Sequence, residues 1–352
     1  MTFTREDTKI AKAVAVILMC IHHLFAFPER LTDGIEYTPM FGGNYEFILA
    51  SFGKICVAMF VCLSGYGAYI SLKNKSDLTK YIPMKILGLY KKFWSVFIVF
   101  IPMGMILNIP HIKKDIVSVI YNLLAYDTTY NGEWWFFAPF VIITIISPFI
   151  IKVADKKFSS PAVDILLLFV IAVACRTVTP SLMETKLLKG FFYSHLGFII
   201  RQAILIFPSF LSGCIIAKYK LFDKYLSAFK NKYFVIPVSL IIIFLTVYMR
   251  YKTTSSWDYI YAPIFIIAVV SIIRIIPLIK WLACEIGNVS MEIWLIHTFF
   301  CYQFIPRIIY APKNAILITL LLFTLSYISA KIITLGVKLL DKIYLKLSNK
   351  FA

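Results

Sequence analysis

The chain is dominated by long apolar runs, and their length decides what it can become. A helix rises about 1.5 Å per residue, so about 20 mostly apolar residues cross the hydrocarbon of a bilayer. Runs of this kind lie at 10–28, 47–72, 86–108, 134–152, 162–180, 196–217, 233–250, 258–276, 286–306 and 313–335. They predict an all-α fold, a polytopic integral membrane helix bundle of about ten transmembrane helices. The composition agrees. Of 352 residues, 60% are hydrophobic and 15% charged, against about 45–50% and about 25% in soluble domains. One aqueous core cannot hide that much apolar surface, so the excess faces lipid. A soluble enzyme, a nucleic-acid-binding protein, a disordered tail and a collagenous rod are thereby excluded. The stretch 111–126 is too short to span, and its helical spacing predicts an interfacial helix or part of an outer cap.

The formal charge is +18. In a membrane protein such an excess collects in cytoplasmic loops, and no nucleic acid is needed to explain it. Loops on the side holding the N-terminus carry more than twice as many Lys and Arg as those opposite. The expectation is a multi-pass protein of the plasma (cell) membrane with both termini cytoplasmic. No Gly/Ser-rich linker divides the chain, which reads as one integral membrane domain over 1–352. The seven cysteines form no CxxC pair and no His/Cys cluster, so neither a metal nor a disulfide frame is expected.

Ionisable groups at membrane depth are costly and normally face a protein interior or a wet cavity. In the first run, Lys12 and His23 are eleven residues apart, about three turns, so they share a helical face with a rise of about 16 Å. A neutral imidazole at depth can take a hydroxyl proton and return it to a leaving group near pH 7. The bland alternative is a pair of interfacial histidines, His22 and His23, bonded to backbone or water. The second run admits Lys54 and then Ser64-Gly65-Tyr66-Gly67, which suits close helix packing as well as hydrogen bonding. Glu133 stands beside Trp134 and Trp135, a pair that fits an aromatic belt at the membrane surface. Arg201 falls inside the sixth run. Glu292, Ser290 and His297 fall in the ninth, where Ser290 and His297 share a face.

Taken in order, these elements resemble the membrane-bound acyltransferase 3 family. That family carries an Arg or Lys, ten residues and a His on its first helix, matched by Lys12 and His23 with Lys in place of the commoner Arg. GKICVAMFVCLSGY resembles its second-helix signature, and Glu133-Trp134-Trp135-Phe136 its "WFL" element. FPSFLSGCIIAKY (207–219) and Ser290 through His297 match two later elements, with Trp294 replacing a Tyr.

The resemblance implies a membrane O-acyltransferase with a ten-helix fold and no permanently bound cofactor. Its donor would be cytoplasmic acetyl-CoA, or another acyl-CoA, and its acceptor a hydroxyl of an exported or lipid-linked glycan. It carries the catalytic role to His23 and implies an outer carboxylate that assists it. Glu29, Asp33, Glu36 and Glu46 are all candidates, with Glu46 favoured because it adjoins the second helix. Lys12 would hold the donor's phosphates as a point charge. Lys54 would join it in donor binding or, like Ser64 or Tyr66, stabilise an oxyanion. Composition alone favours a rival, a polytopic transporter or glycan flippase that uses the same intramembrane charges as a substrate path.

Overall fold

The computed structural model describes residues 1–31, 34–39, 45–73, 75, 80–157, 160–229 and 231–351. Among these the chain is helical, and β-structure is limited to an isolated bridge between Thr38 and Asn314. Helix α1 (Arg5–Phe25) is followed by a split pair, α2 (Tyr45–Gly53) and α3 (Cys56–Leu72). Then come α4 (Tyr81–Ile106), the short α5 (Ile116–Leu123), α6 (Phe137–Lys157), α7 (Pro161–Met183), α8 (Lys189–Phe192) and α9 (His195–Tyr219). The remainder runs through α10 (Leu221–Ala228), α11 (Lys232–Lys252), α12 (Asp258–Ile273) and α13 (Pro277–Asn288). It ends with α14 (Ser290–Thr298), α15 (Pro306–Tyr310) and α16 (Ala315–Phe351).

Nine segments among the described residues are long and apolar enough to cross a membrane. The protein is therefore an all-α polytopic bundle. Every expected span has a counterpart except 286–306, where no single straight helix forms. Helix α13 stops at Asn288, α14 runs for nine residues, and a π-helical turn, Phe299–Phe304, follows. Gly287 and Asn288 are poor helix formers at that break. Such irregular backbone is tolerated at membrane depth where protein surrounds it, and Ser290, Glu292, His297 and Thr298 are all buried. The stretch 111–126 is not among the spans. Only Ile116–Leu123 is helical, capped by Asp115, and it is tied to α4 where the Trp94 indole donates to the Leu123 carbonyl (3.0 Å).

Helix α1 is the axis of the bundle. Thr4 caps it in a reciprocal box: the Asp7 amide donates to the Thr4 hydroxyl and the Thr4 amide to the Asp7 carboxylate (2.8 Å). Its Ala-rich face lets α2, α3, α13 and α14 pack directly against it. Glycines set the tightest crossings. A Cβ at Gly213 would stand 1.9 Å from the Cys62 carbonyl oxygen, and one at Gly65 2.0 Å from that of Phe210, so α3 and α9 touch backbone to backbone. Gly65 thus serves packing. At Gly53 a Cβ would meet the Leu18 carbonyl at 2.4 Å, so the end of α2 rests on α1 beside His22.

Candidate active site

His23 occupies the last turn of α1, where the helix's carbonyls lack partners of their own. Two tyrosines supply them. The Tyr302 hydroxyl donates to the His23 carbonyl and the Tyr310 hydroxyl to that of Leu24 (2.8 Å), which pins the end of α1 to the π turn and α15. The His23 Nε2 stands 3.5 Å from Glu133 Oε2. That is longer than a good hydrogen bond, within the loosening common for catalytic pairs without substrate. The other carboxylate oxygen of Glu133 accepts from Arg30 Nη1 at 2.7 Å, and the Arg30 guanidinium lies 4.0 Å over the Phe27 ring. Partial burial works against the charge on Arg30, but the hydrogen bond and charge of Glu133 outweigh it and raise its pKa.

The segment that presents Glu133 is itself fastened. Asn131 caps the 3-10 turn Gly132–Phe136 by accepting from the Glu133 amide (3.1 Å) and bonds Thr298 (2.9 Å). The Trp294 indole donates to the Glu133 carbonyl (3.3 Å), and the Trp134 indole to that of Leu295 (3.0 Å). Trp134 is fully buried, so the Trp pair is not a lipid-facing belt. Its indole is spent on joining the turn to α14.

Three histidine rings cluster here. A carbonyl can only accept, so His22 carries its proton on Nδ1, bonded to Ala50 O at 2.7 Å, and His297 on Nδ1, bonded to Trp294 O at 2.8 Å. The His297 ring centroid lies 5.0 Å from that of His23. The buried His297 Nε2 and His23 Nδ1 have no hydrogen-bond partner among the described residues.

Two chambers flank this cluster. The first, about 470 Å³, is lined by His22, His23, Arg30, Lys54, Glu133, Trp135 and Gln202, among others. The second, about 370 Å³, lies toward the N-terminal end of α1 and takes in Thr8, Lys12, Ser64, Ser71, Tyr81, Lys85 and Ser290. Phe60, Phe136 and Trp294 belong to both walls. Nearby, Lys92 pairs with the buried Glu292 carboxylate at 2.7 Å.

The structure thus divides the sequence candidates. Lys12, Ser64 and Ser290 share the near chamber, while His23, Lys54, Glu133 and Trp135 share the far one. Lys54 therefore sits with the imidazole rather than with Lys12. Tyr66 packs against Phe3 and Phe222, at ring separations of 5.2 and 5.7 Å. Arg201 reaches Met183 Sδ at 3.7 Å, and its neighbours Phe198 and Gln202 supply the α9 contribution to the far wall. The carboxylate facing His23 is Glu133. Glu46 is a buried residue in the first turn of α2, and Asp33 lies outside the described residues. Arg30, Gln202, Tyr302 and Phe60 carried no signal as site residues in the sequence. Arg30 reads there as one more loop cation, and only its bond to Glu133 reveals it.

A buried imidazole beside a carboxylate that is itself held by a guanidinium is suited to proton transfer with a hydroxyl. A cation such as Lys54 or Arg30 in the same chamber is placed to meet developing negative charge. A family model described as an acyltransferase domain matches residues 8–335 of the chain. No curated protein and no solved structure matches it.

Proposed function

The chain belongs to the membrane-bound acyltransferase 3 family, and on that premise we propose that it moves an acyl group, acetyl in the simplest case, from acyl-CoA in the near chamber to a hydroxyl of an exported or lipid-linked glycan in the far one. The observation that carries this reading is the alignment of the two chambers along α1, with Lys12 in one and His23, Glu133 and Arg30 in the other. In this reading the lysine-rich side is cytoplasmic, the membrane is the plasma membrane, and Lys12 and Lys85 hold the donor's phosphates as point charges. The pantetheine arm then follows α1 for about three turns, a rise of about 16 Å, and brings the thioester to His23.

His23 Nε2 takes the proton of the acceptor hydroxyl as its oxygen bonds to the thioester carbonyl. Glu133, 3.5 Å from that same nitrogen, stabilises the imidazolium that forms there. Lys54 or Arg30 offsets the charge on the tetrahedral oxyanion. When that intermediate collapses, the C–S bond breaks and the imidazolium returns its proton to the departing thiolate, leaving an ester and free CoA. The test is mass spectrometry of envelope glycan from cells carrying the wild-type protein or His23→Ala. The expected result is an acetyl-sized mass present only with the wild type. A His23→Ala protein that is inserted, folded and fully active overturns the assignment.

A further inference from the structure

Three side chains stand in the walls of both chambers. Phe60 comes from α3, Phe136 from the 3-10 turn that presents Glu133, and Trp294 from α14. Phe136 and Trp294 meet edge to face at 5.5 Å, and all three rings are shared by both chamber walls. Ordinary helix packing produces aromatic contacts of this kind, but here the three rings stand between a chamber holding Lys12 and Lys85 and one holding the His23–Glu133 pair. The bonding of Trp294 is also specific. Its indole N–H is held by the carbonyl of Glu133, and its own carbonyl receives the His297 ring proton.

We infer that Phe60, Phe136 and Trp294 form a closed septum between donor and acceptor chambers, which the donor's acyl-bearing arm must displace and whose width selects the acyl group that reaches His23. This rests on the proposed function, in which the donor enters on the Lys12 side. With the septum shut, water from the near side is kept from the imidazole, and a shut site protects a reactive thioester from hydrolysis. Phe60, half-buried and with no polar atom to anchor it as the Trp294 indole is anchored, is the movable leaf. Trp294 is the fixed post. Any movement of Trp294 pulls on the Glu133 backbone, so the passage and the catalytic carboxylate shift together.

The septum can be tested without relying on catalysis. Cys56 lines the far chamber, whereas Cys284, half-buried and within 3.9 Å of the Glu6 carbonyl, marks the near side. Gln202→Cys supplies a second far-chamber thiol. The full-length protein in oriented vesicles is exposed to a charged methanethiosulfonate from the near side only, and labelling at each thiol is read by peptide mass spectrometry. In the wild type, Cys284 reacts while the far-chamber thiols do not. Phe60→Ala, or Phe136→Ala should the first fail to fold, should speed far-chamber labelling at least about tenfold. The same variants should also accept branched acyl-CoA donors and hydrolyse acetyl-CoA faster relative to transfer. Far-chamber labelling in the wild type as fast as in the variants overturns the septum, and so does protection that persists in both. The expected labelling in a protein that transfers no acyl group would instead sink the proposed function and leave the septum standing.

Discussion

At the residue scale, the charge on Glu133 matters more than its shape. Glu133→Gln keeps the volume and an acceptor toward Arg30 but cannot stabilise an imidazolium at His23. The expected loss in kcat is about 10²–10³-fold, within the range of general acid–base contributions, with insertion and thermal stability close to wild type. An initial-rate assay with labelled acyl-CoA checks it. Tyr302→Phe removes one hydrogen bond, worth about 1 kcal/mol. Because that bond fixes the end of α1, the effect should fall on kcat, a few-fold, with KM little changed. The Lys12–His23 stripe was legible in the sequence because a helix has a fixed period. The Glu133 partnership was not, since it joins a loop to Arg30 across 103 residues and only the tertiary fold closes it. Chain proximity favours Glu46, which is buried in α2, while the carboxylate that stands 3.5 Å from His23 Nε2 is Glu133.

At the element scale, α3 and α9 meet with no room for a methyl group at Gly65 or Gly213. Gly213→Ala should force the backbones apart at a cost of about 1–3 kcal/mol, typical of overpacking, read as a lower melting temperature in detergent. Gly67→Ala, two residues along α3 from Gly65 and where a Cβ meets nothing within 4 Å, should be near neutral. The long apolar runs were legible as spans because hydropathy reports length directly. The broken region from α13 to the π turn was not. Its residues are apolar enough to read as a span, and the break is set by Gly287 and Asn288 and by bonds such as Trp134 to Leu295 that no local pattern reveals. The bond to Leu295 holds the Trp134 indole inside the protein.

At the scale of the whole molecule, the excess of Lys and Arg on one side and the chamber containing Lys12 and Lys85 describe one polarity: a cationic mouth on the N-terminal side leading toward His23. Lys12→Glu reverses a charge at that mouth without touching His23, so KM for acyl-CoA should rise about tenfold or more while kcat changes less. Substrate-saturation kinetics separate the two. Most of the spans were readable from the apolar runs, whereas the division into two chambers required the side chains that partition them. The most direct measurement uses proteoliposomes of uniform orientation, with labelled acyl-CoA confined to the N-terminal side and a hydroxylated glycan acceptor confined to the other. Labelled ester should form on the acceptor side, and only when His23 is intact. Ester formed equally well with donor and acceptor on the same face, or formed by His23→Ala, would contradict a through-membrane relay centred on that imidazole.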